Sequence, residues 1–279
     1  MQEDAAPLQG MAHRRLRKLR ARVTFCRVGD KWFEAVNYCA ALVRRLACIP
    51  SFAWCAEITT RCTPWLLQSK IMYIPAHFRE DDLTRLDWLA DYDSFGTLIS
   101  VADGAPFATH LPVIYHRAGT QVVLKGHWAK PNPQWRSIEG QRVLFIFHGP
   151  HAYISPQWYV EPKRYVPTWD YATAHLYGAI RLVPEPERME EIVSSLADRY
   201  ERGTQNPWRL ADSSATEMLR GIVGFELNVD NIELKFKLNQ NHVRGNIEGA
   251  IAGLSANGTP DSLSIAHLMQ EALSRKGGA

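Results

Sequence analysis

Cysteine is missing from most of this sequence. All five cysteines precede residue 71, and none occurs in the remaining 209 of the 279 residues. A body without cysteine needs no disulfide bonds, so it is compatible with a reducing cytoplasm. The five early cysteines contain no C-x-x-C pair, which leaves a zinc site among them weakly supported.

Long hydrophobic runs are also missing. Residues 13–22 are strongly basic, as the start of a signal peptide would be, but no apolar stretch follows them. The longest uncharged stretch nearby, residues 46–56, is interrupted by Pro50 and is far shorter than the roughly 20 residues of a membrane span. We therefore expect a cytoplasmic protein with no export signal and no membrane partner.

The sequence lacks the common catalytic signatures as well. It contains no G-x-S-x-G, no P-loop, no G-x-G-x-x-G and no convincing acid pair or nucleophile arrangement. His148 and His151 form H-x-x-H, but Gly149 and Pro150 between them exclude the helix on which such ligands share a face. Hydrolase chemistry is therefore unsupported, and we predict no catalytic residue and no metal site.

Positive charge is concentrated at the start of the chain. Residues 1–70 carry twelve Lys and Arg against five Asp and Glu, a balance of +7, while the remainder carries twenty against twenty-four, a balance of −4. Three interpretations of this part stay open: a basic appendage, a zinc site, or a stretch upstream of the true start at Met72. We expect residues 1–71 to be a non-native or disordered basic extension.

From Met72 onward the sequence becomes regular. Strands are predicted over residues 95–101, 107–115, 121–126, 142–147, 174–183, 222–229 and 232–238. Asp230 and Asn231 are interpreted as a hairpin turn between the last two strands, and residues 149–169 as a structured loop. This order predicts antiparallel pairing in a small barrel.

Helices are predicted between and after these strands. Asp82 precedes an apolar pattern at helical spacing that ends near Asp91. Further helices are predicted over residues 186–202, from Asn206 to near Gly221, and from Pro260 onward. The predicted fold class is α+β, mainly β, with an antiparallel split β-barrel, flanking helices and a helical C-terminal tail.

Residues 121–159 hold the densest cluster of basic and aromatic side chains. Lys125 and His127 have the same parity on a continuing strand and project to one side, and Lys130 lies at the turn where a helix begins. Two ammonium groups and an imidazole can hold a phosphate dianion by charge-assisted hydrogen bonds, each worth about 1.5–3 kcal/mol. The alternative is a solvated turn with surface lysines.

Aromatic side chains surround this turn. They could supply flat faces for a ring system, or fill a barrel end or dimer interface without any cofactor. His110 lies on a predicted strand and points to the opposite side from its two neighbours. It is either a ligand contact or a polar residue whose hydrogen bonds are made within the protein. The aromatic residues are Trp128, Trp135, Tyr153, Trp158 and Tyr159.

Six ordered motifs carry a resemblance to a known family. They are MYIPAHF (72–78), THLP (109–112), GHWAKPNPQW (126–135), FHGPHAYISPQWY (147–159), VPTWDY (166–171) and KFKLNQN (235–241). Together they resemble the PaiB family, described as FMN-binding negative transcriptional regulators with a flavin-reductase-like split β-barrel. The resemblance runs from Met72 to about Leu254.

The resemblance implies a homodimer with FMN at the subunit interface and an FMN-binding domain over residues 72–254. Residues 255–279, beyond the resemblance, are predicted as a C-terminal helix from their helical spacing. In the wider group, which includes pyridoxamine-phosphate oxidases, a Ser-Arg-Lys-like segment at the end of a strand binds the FMN phosphate. The similar segment here is 127–130. Thr109, His110 and Leu111 lie at the positions that contact the edge of the isoalloxazine ring in such barrels. The predicted FMN-binding residues are Thr109, His110, Leu111, Lys125, Gly126, His127, Lys130 and Trp158.

The sequence departs from the family's usual GHLARANPQW at three positions. Trp128 replaces leucine, Lys130 replaces arginine and Pro131 replaces alanine. Lysine keeps the charge of arginine but loses its planar fork. The predicted function is a PaiB-type negative transcriptional regulator, not an enzyme, with DNA as a partner through that role. A flavin-dependent oxidoreductase and a flavin-free interaction module are the alternatives.

Overall fold

The structure, a computed structural model, describes residues 23–28, 31–36, 72–210 and 214–277. The chain divides into two compact units, residues 1–70 and 71–279. In the first unit the described residues form one hairpin, in which β1 (Val23–Val28) pairs antiparallel with β2 (Lys31–Val36). The rest of the predicted N-terminal extension lies outside the described residues.

The second unit is built on one antiparallel sheet with helices around it. Its strands are β3 (Arg79–Glu80), β4 (Phe95–Ala102), β5 (Ala105–Pro112), β6 (Ile114–Ala118), β7 (Gln121–Ala129), β8 (Arg142–Ile154), β9 (Thr168–Val183) and β10 (Ile222–Lys237). Its α-helices are α1 (Leu83–Tyr92), α2 (Pro186–Tyr200), α3 (Arg244–Asn257) and α4 (Pro260–Gly277). The strand order is β5-β4-β8-β9-β10-β7-β6, and β3 pairs with β10.

The sheet curls until its outer strand β5 reaches β7. A Cβ atom added to Gly126 of β7 would lie 3.2 Å from the Pro112 carbonyl oxygen of β5. Just beyond β7, Asn132 donates its side-chain NH to Thr109 Oγ1 over 3.0 Å. The sheet therefore has the predicted form of an antiparallel split barrel, and the predicted α+β class is confirmed.

Strict alternation in β7 shows how the barrel interior is filled. Val122, Leu124, Gly126 and Trp128 are buried, and the residues between them are more exposed. The Trp128 ring packs 4.6 Å from the ring of Phe225, measured between centroids. One face of the strand therefore lines the core, and Lys125 and His127 lie on the other face.

Helices α3 and α4 belong to the same hydrophobic core as the barrel. Ile247 and Leu254 of α3 and Ile265 and Met269 of α4 are buried in it. Each fully buried aliphatic side chain contributes about 1.5–3 kcal/mol. The C-terminal helices therefore stabilise the barrel directly.

The predicted first helix is present with its cap. Asp82 accepts a hydrogen bond from the Thr84 backbone NH over 2.9 Å, as an N-cap carboxylate does. Tyr115 and Arg117 of β6 both donate to Asp87 of α1, over 2.7 Å each. Helix α1 is thus fixed to the sheet by hydrogen bonds as well as by its apolar face.

The predicted hairpin at Asp230 and Asn231 is wrong. Strand β10 is continuous from Ile222 to Lys237 and pairs with β9 on both sides of an irregularity between Val229 and Asn231. Strand β9 spans 16 residues and offers partners to both segments. Because the two positions lack the glycine that a tight turn favours, they form a bulge instead.

Two other predicted boundaries are also wrong. Residues 149–169 are only partly a loop, because β8 continues past His148 to Ile154 before two short 3-10 helices, Pro156–Trp158 and Pro162–Arg164. The helix expected from Asn206 is not formed by the described residues there, and a 3-10 helix, Ser214–Gly221, precedes β10. Among the described residues, no helix is both long and apolar enough to cross a membrane.

Candidate functional site

The basic turn at the end of β7 borders a large cavity. The Lys130 backbone NH donates to the Gly221 carbonyl over 2.7 Å, which joins the turn to the start of β10. The cavity has a volume of about 720 Å³, and Lys130, Trp135, Met189 and Arg220 are among the residues that line it. This volume lies within the roughly 300–1,000 Å³ of small-molecule sites.

His127 lies beside this cavity with an unsatisfied nitrogen. It pairs with Gly224 of β10, and a Cβ atom on Gly224 would meet Met189, which lines the cavity. The Nδ1 atom of His127 is buried and has no hydrogen-bond partner among the described residues. Burial lowers the pKa of His127, so the ring is neutral near pH 7. A buried polar atom without a partner costs about 1–3 kcal/mol, which a bound ligand can recover.

Lys130 presents an ammonium group that is open to solvent. Its Nζ atom donates to the Arg220 carbonyl oxygen at 3.3 Å, and no carboxylate in the described part of the chain pairs with it. An exposed ammonium with one weak neutral partner can bind an anion without first breaking an ion pair. Lys130 and His127 therefore fit the predicted phosphate contact.

Lys125 is placed differently. Its ammonium group lies 3.0 Å from Glu191 of α2 and 3.7 Å from Glu226 of β10. Arg188 also pairs with Glu226. Two carboxylates already compensate the charge of Lys125, so its contacts do not support the predicted role in phosphate binding.

The residues predicted on β5 divide between its two faces. Leu111 is buried in the core, and Thr109 accepts the hydrogen bond from Asn132 beside the basic turn. His110 lies on the opposite face, where its Nδ1 atom is 2.9 Å from the Thr97 hydroxyl. The structure therefore brings Thr109 to the turn and separates His110 from it.

Gly126 and Trp158 are both surrounded by packing contacts. A Cβ atom on Gly126 would lie 2.7 Å from the Phe225 ring, so the glycine makes room inside the barrel. The Trp158 ring packs on α3, where a Cβ atom on Gly253 would lie 2.2 Å from it. Helix α3 does not line the cavity beside Lys130. The structure therefore does not place Trp158 at the basic turn.

Gln134 is a key residue that the sequence did not single out. Its amide group is buried, accepts from Trp128 Nε1 over 3.0 Å, and donates to Ser100 Oγ over 3.0 Å and to the Leu98 and Phe107 carbonyls. It therefore closes the barrel between β4, β5 and β7. In the sequence, Gln134 is marked only by its position after Pro133 in the NPQW motif. This position does not indicate what the side chain does.

The arrangement suits an anionic ligand better than a metal ion. Lys130 supplies an ammonium group to a cavity whose lining is mainly apolar but also includes Glu190, Glu217 and Arg220. His127, on the adjoining part of β7, has an unpaired imidazole nitrogen. No group of three or more His, Cys, Asp or Glu side chains suitable for a metal ion is found in the described part of the chain. The residues present thus fit the phosphate end of a cofactor such as FMN.

Comparisons with known proteins identify a family for this chain. A family model described as "Putative FMN-binding domain" matches residues 72–231. The protein named Protease synthase and sporulation protein PAI 2 of Bacillus subtilis is 35% identical over 209 residues, which cover 74% of this chain and 100% of the relative. An uncharacterized protein of Emericella nidulans is 29% identical over 244 residues, 72% of this chain and 97% of the relative.

Solved structures are similar at lower identity. The FAD and heme binding protein from Mycobacterium smegmatis has a TM-score of 0.44 at 21% identity and covers 57% of this chain and 73% of its own. The flavocytochrome Anf3 from Azotobacter vinelandii has a TM-score of 0.45 at 14% identity and covers 61% of this chain and 74% of its own.

Proposed function

Because this chain belongs to the PaiB family of FMN-binding proteins, we propose that it is a negative transcriptional regulator that acts as a cytoplasmic homodimer with FMN as its cofactor. The family membership supplies the cofactor. The regulatory role, the dimer and the identity of the FMN-binding residues are our proposals.

The proposed FMN site rests on two groups at the end of β7: an imidazole nitrogen without a hydrogen-bond partner and an ammonium group without a carboxylate partner among the described residues. The exposed ammonium of Lys130 lines the cavity. The buried Nδ1 atom of His127, three residues earlier on β7, has no hydrogen-bond partner among the described residues. We assign the FMN phosphate to these two groups, with Thr109 and Asn132 supporting the turn. When bound, FMN supplies a ring system that can exchange electrons, while the protein supplies position and electrostatics.

Exposed apolar side chains support the homodimer. On β4, Phe95 is 49% exposed and Val101 is 57% exposed, on the sheet face opposite to the core. Apolar surface of this kind commonly marks an interface. Sedimentation of the purified chain with excess FMN should give a mass of two chains, and a monomer at micromolar concentration would contradict the proposed dimer.

Visible absorbance tests the cofactor. The full chain is mixed with excess FMN and separated from free flavin by gel filtration, and the protein fraction should keep a flavin spectrum. A protein fraction without flavin absorbance under these conditions would overturn the proposed FMN site.

Turnover and DNA binding separate a regulator from an oxidoreductase. A regulator should shift DNA from its own promoter region in a salt-sensitive, sequence-preferring manner. An oxidoreductase should oxidise reduced nicotinamide or pyridoxine phosphate at about 1 s⁻¹ or faster. Rapid turnover without a DNA shift would contradict the regulatory role.

A further inference from the structure

A second cavity lies on the outer face of β8 and β9. It has a volume of about 470 Å³, and we call it the histidine cavity because three of its eight lining residues are histidines. It shares no lining residue with the cavity beside Lys130. Its lining residues are Ile146, His148, Gly149, His151, Tyr171, Ala172, Thr173 and His175.

A bulge in β8 creates the histidine cavity. The register between β8 and β9 shifts between His148 and His151, and both histidines are exposed while Gly149 and Pro150 are buried. A Cβ atom on Gly149 would lie 2.5 Å from Leu89 and 2.7 Å from a backbone oxygen, so no larger residue fits there. Bulges of this kind redirect side chains, and here the bulge turns two imidazoles to one face.

Neighbouring hydroxyl groups hold two of the imidazoles at one nitrogen each. The Thr97 hydroxyl lies 2.9 Å from His148 Nε2, and the Tyr177 hydroxyl lies 3.3 Å from His175 Nδ1. The second nitrogen of each ring has no hydrogen-bond partner in residues 72–210 and 214–277. Each ring is therefore held by one nitrogen while the other can donate to or accept from a ligand.

Charged groups of both signs surround the histidine cavity, and the Asp261 carboxylate lies 3.6 Å from His151 Nδ1. Burial, the larger cause, and the nearby His110 lower the pKa of His148, and burial likewise lowers the pKa of His175. Both rings are therefore neutral near pH 7. The ammonium of Lys235 and the carboxylate of Glu233 stand on the adjacent strand opposite Thr173 and His175. Such a surface favours an uncharged ligand over an ion.

Tyr171 and His151 line the same cavity, and further aromatic rings lie next to them. The Lys235 ammonium lies 5.1 Å from the centroid of the Tyr171 ring. The His151 ring is 6.0 Å from the Trp169 ring, which is 54% exposed and also contacts Tyr153. Aromatic faces at a concave surface select planar ligands.

We propose that the histidine cavity is a second ligand site, which binds an uncharged, planar nitrogen heterocycle able to donate and accept hydrogen bonds. Nucleobases and nicotinamide belong to this chemical class. The free nitrogens of His148 and His175 bond the edge of the ring, and the neighbouring aromatic side chains cover its face. The site is distinct from the proposed phosphate contact at the end of β7.

Ligand-observed NMR on the full chain tests the proposal with three probes: adenine, uracil and nicotinamide. At least one probe should bind to the wild type. His148→Leu and His175→Leu should each weaken that binding about fivefold or more, the loss expected for one hydrogen bond. The matched control is His116→Leu on β6, which should leave the affinity unchanged. Failure of all three probes to bind, or an equal loss with the control, would overturn the proposal.

Titration with FMN separates this proposal from the proposed function. Saturating FMN should not displace the probe, and His175→Leu should retain flavin absorbance after gel filtration. Displacement of the probe by FMN, with an equal loss of FMN affinity in His175→Leu, would make the cavity part of the flavin site and reject a second site. If FMN binds and no probe binds, only the proposed second site is rejected. If a probe binds and FMN does not, only the proposed cofactor is rejected.

Discussion

At the scale of single residues, Lys130 and Lys125 show that equal charge does not mean equal availability. The ammonium of Lys125 is compensated by Glu191 and Glu226, whereas that of Lys130 has only a carbonyl oxygen at 3.3 Å. Sequence parity placed Lys125 on the correct strand face. It could not show the two carboxylates, because they come from α2 and β10.

Lys130→Ala should weaken FMN binding about tenfold or more, because it removes a charge-assisted hydrogen bond worth about 1.5–3 kcal/mol. Titration followed by quenching of flavin fluorescence measures the change. Lys163→Ala, at an exposed position in the same compact unit, is the matched control and should leave the affinity unchanged. Wild-type affinity in Lys130→Ala would reject the phosphate assignment.

Gln134→Leu should lower the free energy of unfolding by about 2 kcal/mol or more. Leucine is similar in volume, but it leaves the buried Trp128 NH without its acceptor and Ser100 without its donor. Urea unfolding followed by tryptophan fluorescence measures the loss. Gln157→Leu, at an exposed position, is the control. Equal stability of the two variants would show that the buried amide does not close the barrel.

The pKa of Asp170 predicts the direction in which its contribution to the free energy of unfolding changes with pH. Its side chain is fully buried beside Lys237, and burial raises the pKa of Asp170 to about 6 from its ordinary 3.8. The folded protein therefore binds this proton more tightly than the unfolded chain, so the contribution of Asp170 to stability falls as pH rises from about 4 to about 6. Over this range the change is at most about 3 kcal/mol.

The comparison of wild type with Asp170→Asn isolates this contribution from that of the histidines. The difference in unfolding free energy, wild type minus variant, should decrease between pH 4.5 and pH 7. Urea unfolding at several pH values measures it. A difference that is constant or increases with pH would contradict a raised pKa of Asp170.

At the scale of elements, α3 and the segment after β8 fit together through glycine. Gly249 faces the Trp158 carbonyl oxygen, at 1.9 Å from an added Cβ atom, and Gly253 faces the Trp158 ring at 2.2 Å. One glycine therefore accommodates backbone and the other accommodates a side chain. This difference gives the two positions distinct responses to mutation.

Gly249→Ala and Gly253→Ala should each destabilise the protein by about 1–3 kcal/mol, although alanine favours a helix by about 1 kcal/mol over glycine. Adding Trp158→Ala should restore part of the loss in Gly253→Ala, because the clashing ring is gone, but none of the loss in Gly249→Ala. Double-mutant cycles from urea unfolding measure the coupling. Equal rescue of both variants would contradict the separate contacts.

Sequence patterns predicted the elements better than their connections. Predicted strands overlap β4, β5 and β7 to β10, whereas β5 and β6 were predicted as one strand over residues 107–115. Asp82 marked the start of α1. The bulges after His148 and Val229 were interpreted as a loop and a turn, because a bulge depends on a partner strand that is distant in sequence. The same reason explains the candidate site: Lys130 and His127 were predicted from local spacing, whereas Gln134 and the histidine cavity depend on cross-strand neighbours.

At the scale of the whole molecule, the start of the barrel unit is a prediction that can be checked directly. The Met72 backbone nitrogen lies 2.9 Å from the Glu233 carboxylate, and the Met72 side chain is buried. In a chain beginning at Met72, the terminal ammonium would face that carboxylate. Intact mass of the natively expressed protein should match residues 72–279, and a mass that includes residues 1–71 would contradict the predicted start.

The glycines of α3 also bear on the order in which the molecule assembles. Gly249 and Gly253, both inside the helix, together lower its intrinsic stability by about 2 kcal/mol, and an isolated helix of 14 residues is marginal in water even without them. The surface that compensates for this weakness is the chain around Trp158, which takes its shape only once β8 and β9 have paired. We therefore expect helix α3 to form late in folding, after the strands of the barrel have paired.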